Sequence, residues 1–202
     1  MFNIDIETEI EGEFPDQYKT QYAINVISIY NTLENEEVVF CYKSDADKLL
    51  TDKRKKEIIE AVKKDYDTAP TFKIYSFTDE IALLETFMEY WTTYYPDVVT
   101  GWNTRGYDIP YIVNRIKMML GETTLNKLSP VYNLVKNPIF EKYDKKDNTL
   151  TYLIQGVSLI DYLPLYKKFA GTSKQSFKLD AIAKEELDLG KFDYYDIGYE
   201  SM

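Results

Sequence analysis

Apolar and polar residues alternate strictly at the start of the chain. Within residues 2–7, Ile4 and Ile6 alternate with Asp5 and Glu7. Successive side chains of a strand point to opposite faces, so this pattern predicts a strand whose apolar face lies against a core. Both carboxylates then project from the other face, close to one another.

The remaining elements are predicted from the same kinds of pattern. Further strands are predicted at residues 22–30, 37–42, 71–77 and 97–102. Apolar positions at helical spacing predict helices over residues 52–64, 78–94, 110–120, 159–169 and 179–187. Residues 9–18 read as a loop, and alternation around residues 145–148 predicts an inserted β-hairpin over residues 136–153. This order predicts an α/β fold, a mixed sheet flanked by helices, with three consecutive antiparallel strands and the first strand in a central position.

Composition narrows the class of protein. A chain of 202 residues with 45% apolar and 29% charged residues suits one globular domain with a substantial core. Cys41 is its one cysteine and it has no histidine, which excludes internal disulfides, Cys/His zinc sites and His-dependent catalysis. No apolar run approaches the ~20 residues that cross a bilayer, and Asp5 and Glu7 interrupt any signal-peptide core. We expect no membrane partner and a cytosolic location.

The charge balance is acidic. The chain has 24 basic and 34 acidic residues, a net charge of −10, which weighs against a broad basic face for nucleic acid. An enzyme that grips a few nucleotides by stacking and through metal ions remains compatible with this charge.

Asp5 and Glu7 are the first candidates for chemistry. Taken alone, such a pair is a weak signal, because most are the solvated face of an amphipathic strand. On a central strand, however, two carboxylates crowd each other unless a cation lies between them. A third carboxylate would complete an oxygen-rich pocket for hard divalent metals, and paired metals catalyse displacement at phosphorus. The pair therefore points to phosphodiester hydrolysis.

Asp108 is the candidate for the third carboxylate. It falls where a loop meets the helix that Pro110 opens, so a plain helix N-cap is the competing interpretation. The same loop contains Trp102, Asn103 and Tyr107. Such a concentration of aromatic and amide side chains is typical of a loop that lines a site.

These residues resemble a known family. Asp5-Ile6-Glu7 resembles the first exonuclease motif of family B DNA polymerases, and Thr100-Gly101-Trp102-Asn103, followed by Tyr107-Asp108-Ile109-Pro110-Tyr111, resembles the second. Further stretches resemble the T-even-type bacteriophage branch, at residues 115–117, 128–130, 159–162, 165–169 and 176–180. The resemblance covers nearly the whole chain, in order and with compatible spacing.

The resemblance implies an RNase H-like fold and a 3′→5′ proofreading exonuclease domain of a DNA-directed DNA polymerase. Asp5, Glu7 and Asp108 would bind two Mg²⁺ or Mn²⁺ ions and act as the catalytic residues. Asn103 and Tyr107 would shape the pocket for the terminal nucleotide. The implied partners are the single-stranded 3′ end of a DNA primer and the rest of the polymerase, in cis or as a separate chain. The implied location is the cytoplasm of an infected bacterial host.

Phe14 and the hairpin have two interpretations each. Phe14 resembles an aromatic residue that stacks on a base of the frayed end, and the alternative is a core residue that anchors its loop. The hairpin over residues 136–153 matches a place where this branch carries a hairpin that helps to move the primer strand. The alternative is an ordinary surface hairpin.

Two other charged features have structural interpretations. Asp161 lies in the predicted helix 159–169 and is expected to be a buried, hydrogen-bonded structural carboxylate and not a metal ligand. The basic run Lys53–Lys56 is expected to be the solvated face of a helix.

A third motif of the family is expected to be missing. The pattern requires Tyr-x-x-x-Asp on a later helix, and the two matches here, Tyr75 to Asp79 and Tyr143 to Asp147, fall in unsuitable places. We therefore expect a single domain over residues 1–202 that is incomplete at its C-terminus and, alone, weakly active or inactive. The alternatives are a non-catalytic assembly or DNA-binding piece of a split polymerase that needs a partner chain, a stand-alone DEDD-type nuclease, and a structural acidic protein.

Overall fold

The computed structural model describes residues 1–64, 69–132, 136–140, 150–170, 174 and 176–188. The chain divides into two compact units, Met1–Tyr162 and Leu163–Met202. The expectation of a single domain over residues 1–202 remains a prediction. Among the described residues, no helix is both long enough and apolar enough to cross a membrane.

A mixed sheet of six strands forms the centre of the first unit, in the order β4-β3-β2-β1-β5-β8. The six strands are β1 (Phe2–Thr8), β2 (Ile24–Asn31), β3 (Glu36–Tyr42), β4 (Thr71–Phe77), β5 (Val98–Gly101) and β8 (Ser158–Asp161). Strands β1, β2 and β3 are antiparallel neighbours, whereas β5 runs parallel to β1 and β8 parallel to β5. The mixed α/β class, the antiparallel start and the central place of β1 are confirmed.

Six α-helices accompany the strands in the described residues. They are α1 (Asp52–Lys63), α2 (Glu80–Tyr94), α3 (Asp108–Leu120), α4 (Glu122–Asn126), α5 (Tyr162–Phe169) and α6 (Leu179–Leu187). The side chain of Thr51 caps α1 by accepting from the Arg54 N–H, as residues of this type commonly do. The short helix α4 was not predicted from the sequence.

The apolar face of β1 lies in the core. Phe2, Ile4 and Ile6 are 1%, 1% and 6% exposed and belong to one cluster with buried residues of α2 and α3. Asp5 and Glu7 are exposed on the opposite face, as the alternation predicts. The core therefore holds β1 rigidly while its acidic face stays accessible.

The predicted hairpin has two paired strands in the structure. Strands β6 (Lys136–Phe140) and β7 (Leu150–Leu153) are antiparallel and form a separate small sheet. Its predicted turn, residues 145–148, lies outside the described residues.

Two predictions about helix starts are wrong. Asp161 is the last residue of strand β8, not part of a helix, and α5 begins only at Tyr162. The apolar run before Asp161 is too short to distinguish a helix from a strand. Its parallel pairing with β5 makes it a strand. Helix α3 begins at Asp108, so Pro110 lies within its first turn and does not open it.

Candidate active site

The ends of three parallel strands bring the candidate residues to one edge of the sheet. Strand β1 carries Asp5 and Glu7, β5 ends at Gly101 and β8 ends at Asp161. Chain segments that follow parallel strands emerge at the same edge, which is where α/β proteins place their sites. The loop over residues 102–107 then leads into α3 and Asp108.

Asp108 is attached directly to β1. Its side chain is 3% exposed, and its Oδ1 accepts a hydrogen bond of 3.2 Å from the Ile6 N–H. Strand β5 pairs with β1 only at Phe2 and Asn3, so the N–H of Ile6 is left for another acceptor. The Asp108 carboxylate therefore lies at the backbone N–H of Ile6, the residue between Asp5 and Glu7. Asp108 is the first residue of α3 and not its N-cap, which is Tyr107, so the interpretation of Asp108 as a plain N-cap is wrong.

The carboxylates at this edge influence one another. Burial, together with the negative charges of Asp5 and Asp161, raises the pKa of Asp108 to about 7, against the lowering effect of hydrogen bonds from the backbone N–H groups of Asp108 and Ile6. Such a shift means that negative charge at this position is poorly compensated by the protein alone. A bound cation would supply the missing compensation.

Asp161 fixes the loop that precedes α3. Its Oδ1 accepts from the Asn103 N–H and its Oδ2 from the Arg105 N–H, both at 3.0 Å. The side chain is 6% exposed. The expectation of a buried, hydrogen-bonded carboxylate is thus confirmed, although its element was predicted wrongly. Its carboxylate holds the two ends of one tight turn.

The turn itself allows little variation. Asn103 has a φ of 63°, and its carbonyl accepts from the N–H groups of Gly106 (2.9 Å) and Tyr107 (3.0 Å). A Cβ at Gly101 would lie 2.1 Å from Thr104 Oγ1 and 2.6 Å from the backbone oxygen of Ile4. The close approach of β5 and β1 therefore requires glycine at this position.

Asp161→Asn should lower the free energy of unfolding by about 2 kcal/mol, measured by urea denaturation. Asparagine retains one acceptor, but its NH₂ group meets a backbone N–H of the loop in place of an acceptor. Glu122→Gln is the control, because its carboxylate is 67% exposed and 3.7 Å from Lys117. We expect the control to change stability by less than about 0.5 kcal/mol. Equal effects of both substitutions would contradict the role assigned to Asp161.

An aromatic row begins beside the carboxylates. The Tyr107 hydroxyl lies 3.3 Å from Thr8 Oγ1, and the Tyr107 ring is 5.6 Å from that of Tyr111 and 6.1 Å from that of Phe14. Phe14 is 77% exposed. The alternative of a core-anchoring Phe14 is therefore wrong, whereas the neighbouring Pro15 is buried.

The structure brings most of the candidate residues together. Asp5 and Asp108 interact electrostatically, Glu7 and Asp108 both influence Tyr107, and the Phe14 ring approaches Tyr107. Asn103 is exposed, and its amide oxygen is directed at Gly106, 2.6 Å from where a Cβ would stand. The bond from Ile6 to Asp108 was not foreseen, since a backbone donor has no sequence signature.

The donor set fits a hard divalent cation in its chemistry. All candidate ligands are carboxylates, the ligands that Mg²⁺ and Mn²⁺ prefer, and Asp108 is buried with a raised pKa. Across the described ranges, no three His, Cys, Asp or Glu side chains are already arranged around a common metal position.

The matches to the third motif have other roles. Tyr75 lies in β4, and Asp79 caps α2 by accepting from the Ile81 N–H at 3.1 Å. An N-capping carboxylate is sufficient to explain Asp79. The match at residues 143–147 lies outside the described residues.

A mixed six-stranded sheet flanked by helices, with acidic side chains on its central strand, matches the RNase H-like exonuclease fold. The chain belongs to the exonuclease domain of DNA polymerase family B, whose family model matches residues 1–182. The DNA-directed DNA polymerase of Enterobacteria phage T4 is 36% identical over 210 residues, which cover 95% of this chain and 22% of that protein. That of Escherichia phage RB69 is 30% identical over 197 residues, with the same coverage of 95% and 22%.

A more distant similarity extends to herpesviruses. The DNA polymerase catalytic subunit of Murid herpesvirus 1 is 30% identical over 134 residues, covering 61% of this chain and 12% of that protein. The chain spans about a fifth of the length of the two phage relatives.

Proposed function

We propose that the chain is the 3′→5′ proofreading exonuclease part of a DNA-directed DNA polymerase, which hydrolyses 3′-terminal nucleotides of DNA by a two-metal mechanism. The observation that carries the proposal is the hydrogen bond from Ile6 to Asp108, because it ties a buried carboxylate to the strand that bears Asp5 and Glu7. The family and the phage relatives support it. The partners are a single-stranded DNA 3′ end and the rest of the polymerase, in the cytoplasm of an infected bacterium.

In this mechanism Asp5, Glu7 and Asp108 would hold two Mg²⁺ or Mn²⁺ ions. When bound, the ions would stabilise negative charge on the reacting phosphate. Burial raises the pKa of Tyr107, and the charges of Asp108 and Glu7 contribute to the rise. The hydroxyl thus stays protonated at neutral pH and can donate a hydrogen bond to a phosphate oxygen or to water.

Positioning of the terminal nucleotide completes the proposal. Phe14 presents an exposed ring on which a base can stack, and it lies next to Tyr107. Asn103, exposed on the turn before α3, contributes to the same pocket. Stacking needs no basic face, which makes the proposal compatible with the net charge of −10.

The test is digestion of a 5′-labelled single-stranded DNA with Mn²⁺ or Mg²⁺, by the chain alone and together with the remainder of a T-even-type polymerase. Stepwise shortening from the 3′ end, blocked by EDTA, is expected; we propose that it is weak for the chain alone. Shortening that requires the added remainder would favour an assembly piece whose site a partner completes. No shortening in either mixture, with well-folded protein, would refute an exonuclease function.

Metal binding is testable without DNA. A Mn²⁺ concentration a hundredfold above the dissociation constant should raise the free energy of unfolding by about 2.7 kcal/mol, because the ion binds only the folded site. Asp5→Asn should lose most of this gain. Glu37→Gln is the matched control, since Glu37 is a half-buried carboxylate on β3 whose Oε1 accepts from Ser28 Oγ at 2.6 Å. A gain unaffected by Asp5→Asn would exclude Asp5 as a ligand.

A further inference from the structure

Residues 9–23, which connect β1 to β2 and carry Phe14, are attached along one face of α3; we name this segment the Phe14 loop. The Glu9 N–H closes it by donating to the Ala23 carbonyl at 3.0 Å. The Tyr111 hydroxyl donates to the Tyr22 carbonyl at 2.8 Å and accepts from the Tyr22 N–H at 3.3 Å. One helix therefore holds the backbone of an otherwise irregular segment.

Asn114, one turn further along α3, uses both ends of its amide. Its Nδ2 donates to the carbonyl of Gln17 in the Phe14 loop at 3.0 Å and to the carbonyl of Pro110 at 2.9 Å. Its Oδ1 accepts from the Tyr152 hydroxyl at 2.7 Å. The two carbonyls require the NH₂ end of the amide, so the oxygen must face Tyr152.

Tyr152 belongs to β7, one strand of the small separate sheet. Asn114 is thus the point at which three elements meet: the Phe14 loop, α3 and β7. Helix α3 also begins with Asp108. A displacement of Asn114 would change the position of the Phe14 loop relative to the carboxylates.

We propose that Asn114 and Tyr152 are positioning residues, which lock the Phe14 loop and β7 onto α3 so that the three elements grip a single-stranded DNA end as one unit. This inference rests on the proposed function. A preorganised binding site avoids the entropic cost of ordering a loop when the DNA binds. It also keeps the Phe14 ring at a constant distance from Asp108, as the cleavage of one terminal nucleotide at a time requires.

A double-mutant cycle with Phe14 tests the coupling. The probe is a fluorescent oligothymidylate in the presence of Ca²⁺, bound by the chain together with the polymerase remainder. Tyr152→Phe should weaken binding about fivefold, the effect of one lost hydrogen bond. In a Phe14→Ala background the same substitution should have a smaller effect, because part of the contribution of Tyr152 acts through the Phe14 loop.

The matched control is Tyr30→Phe. Tyr30 also donates its hydroxyl to an asparagine, Asn35 Oδ1 at 2.9 Å, but on the β2–β3 turn and away from α3. The Tyr30→Phe substitution should leave the affinity for the oligothymidylate unchanged. Two results would refute the coupling, provided that the wild-type protein binds. One is an affinity of Tyr152→Phe within twofold of the wild type. The other is an effect of Tyr152→Phe that adds fully to the effect of Phe14→Ala. If the wild-type protein itself fails to bind, the proposed function fails, and the inference with it.

Hydrogen exchange provides a measurement that needs no DNA. Asn114→Asp keeps the shape and the acceptor for Tyr152, but its carboxylate faces the carbonyls of Gln17 and Pro110 and repels them. Amide exchange within residues 16–20 should accelerate about tenfold as the Phe14 loop detaches. Unchanged exchange there would show that Asn114 does not hold the loop, and would overturn the proposal.

Discussion

Asp108→Asn is expected to reduce exonuclease activity by roughly a thousandfold, which corresponds to about 4 kcal/mol of transition-state stabilisation. The substitution changes only charge. The asparagine oxygen can still accept from the Ile6 N–H, so the attachment of α3 to β1 is preserved. What is lost is a buried negative charge next to Asp5 and, with it, a ligand for the proposed ions. The assay is the shortening of 5′-labelled single-stranded DNA under conditions in which the wild-type protein is active.

Stability separates this loss from misfolding. Because Asp108 is buried near the charges of Asp5 and Asp161, removal of its own charge should leave the metal-free protein as stable as the wild type or more so. Stabilisation by Mn²⁺ should disappear. Glu37→Gln, which neutralises a carboxylate elsewhere on the sheet, should keep both activity and the response to Mn²⁺. Activity of Asp108→Asn within tenfold of wild type would contradict the proposed catalytic role.

Much of the fold could be predicted from the sequence because its strands and helices have clear periodicity. Alternation in β1 predicts the exposed face of Asp5 and Glu7, and the helical spacing after residue 178 predicts α6 with the observed bounds, Leu179–Leu187. Where a short apolar run fits both the helical and the strand period, the local pattern does not determine which element forms. Residues 158–161 form a strand only because β5 offers them a parallel partner.

The acidic side chains of the candidate site could be proposed from the sequence, but the contacts that fix them could not. Alternation in β1 and the resemblance to the family motifs single out Asp5, Glu7 and Asp108, and their role as ligands remains a prediction. Three features of the site depend on where distant segments meet. They are the hydrogen bond from the Ile6 N–H, the two hydrogen bonds that Asp161 accepts from its turn, and the exposure of Phe14. Pairings over a hundred residues, such as Ile6 with Asp108, have no local signal in one sequence.

Arg115→Ala is expected to lower the free energy of unfolding by about 3–5 kcal/mol, the usual effect of removing one partner from a buried ion pair. Arg115 and Glu80 are 8% and 5% exposed, and Arg115 Nε lies 2.7 Å from Glu80 Oε1. Arg115 also donates to the Thr20 carbonyl at 2.8 Å, and Glu80 Oε1 accepts from the Ile24 N–H at 2.9 Å. The pair thus joins α2 and α3 to the end of the Phe14 loop and the start of β2.

The double substitution Arg115→Ala/Glu80→Gln distinguishes an unpaired buried charge from a simple loss of packing. If the unpaired carboxylate dominates, neutralising it should recover part of the loss, although the hydrogen bond to Thr20 stays broken. Arg54→Ala is the matched control, because its pair with Glu57, at 3.2 Å, is partly exposed on α1. That control should cost less than about 1 kcal/mol in urea denaturation. If Arg115→Ala also cost less than this, or if the second substitution deepened the loss, the pair would not be what fastens the Phe14 loop to its helix.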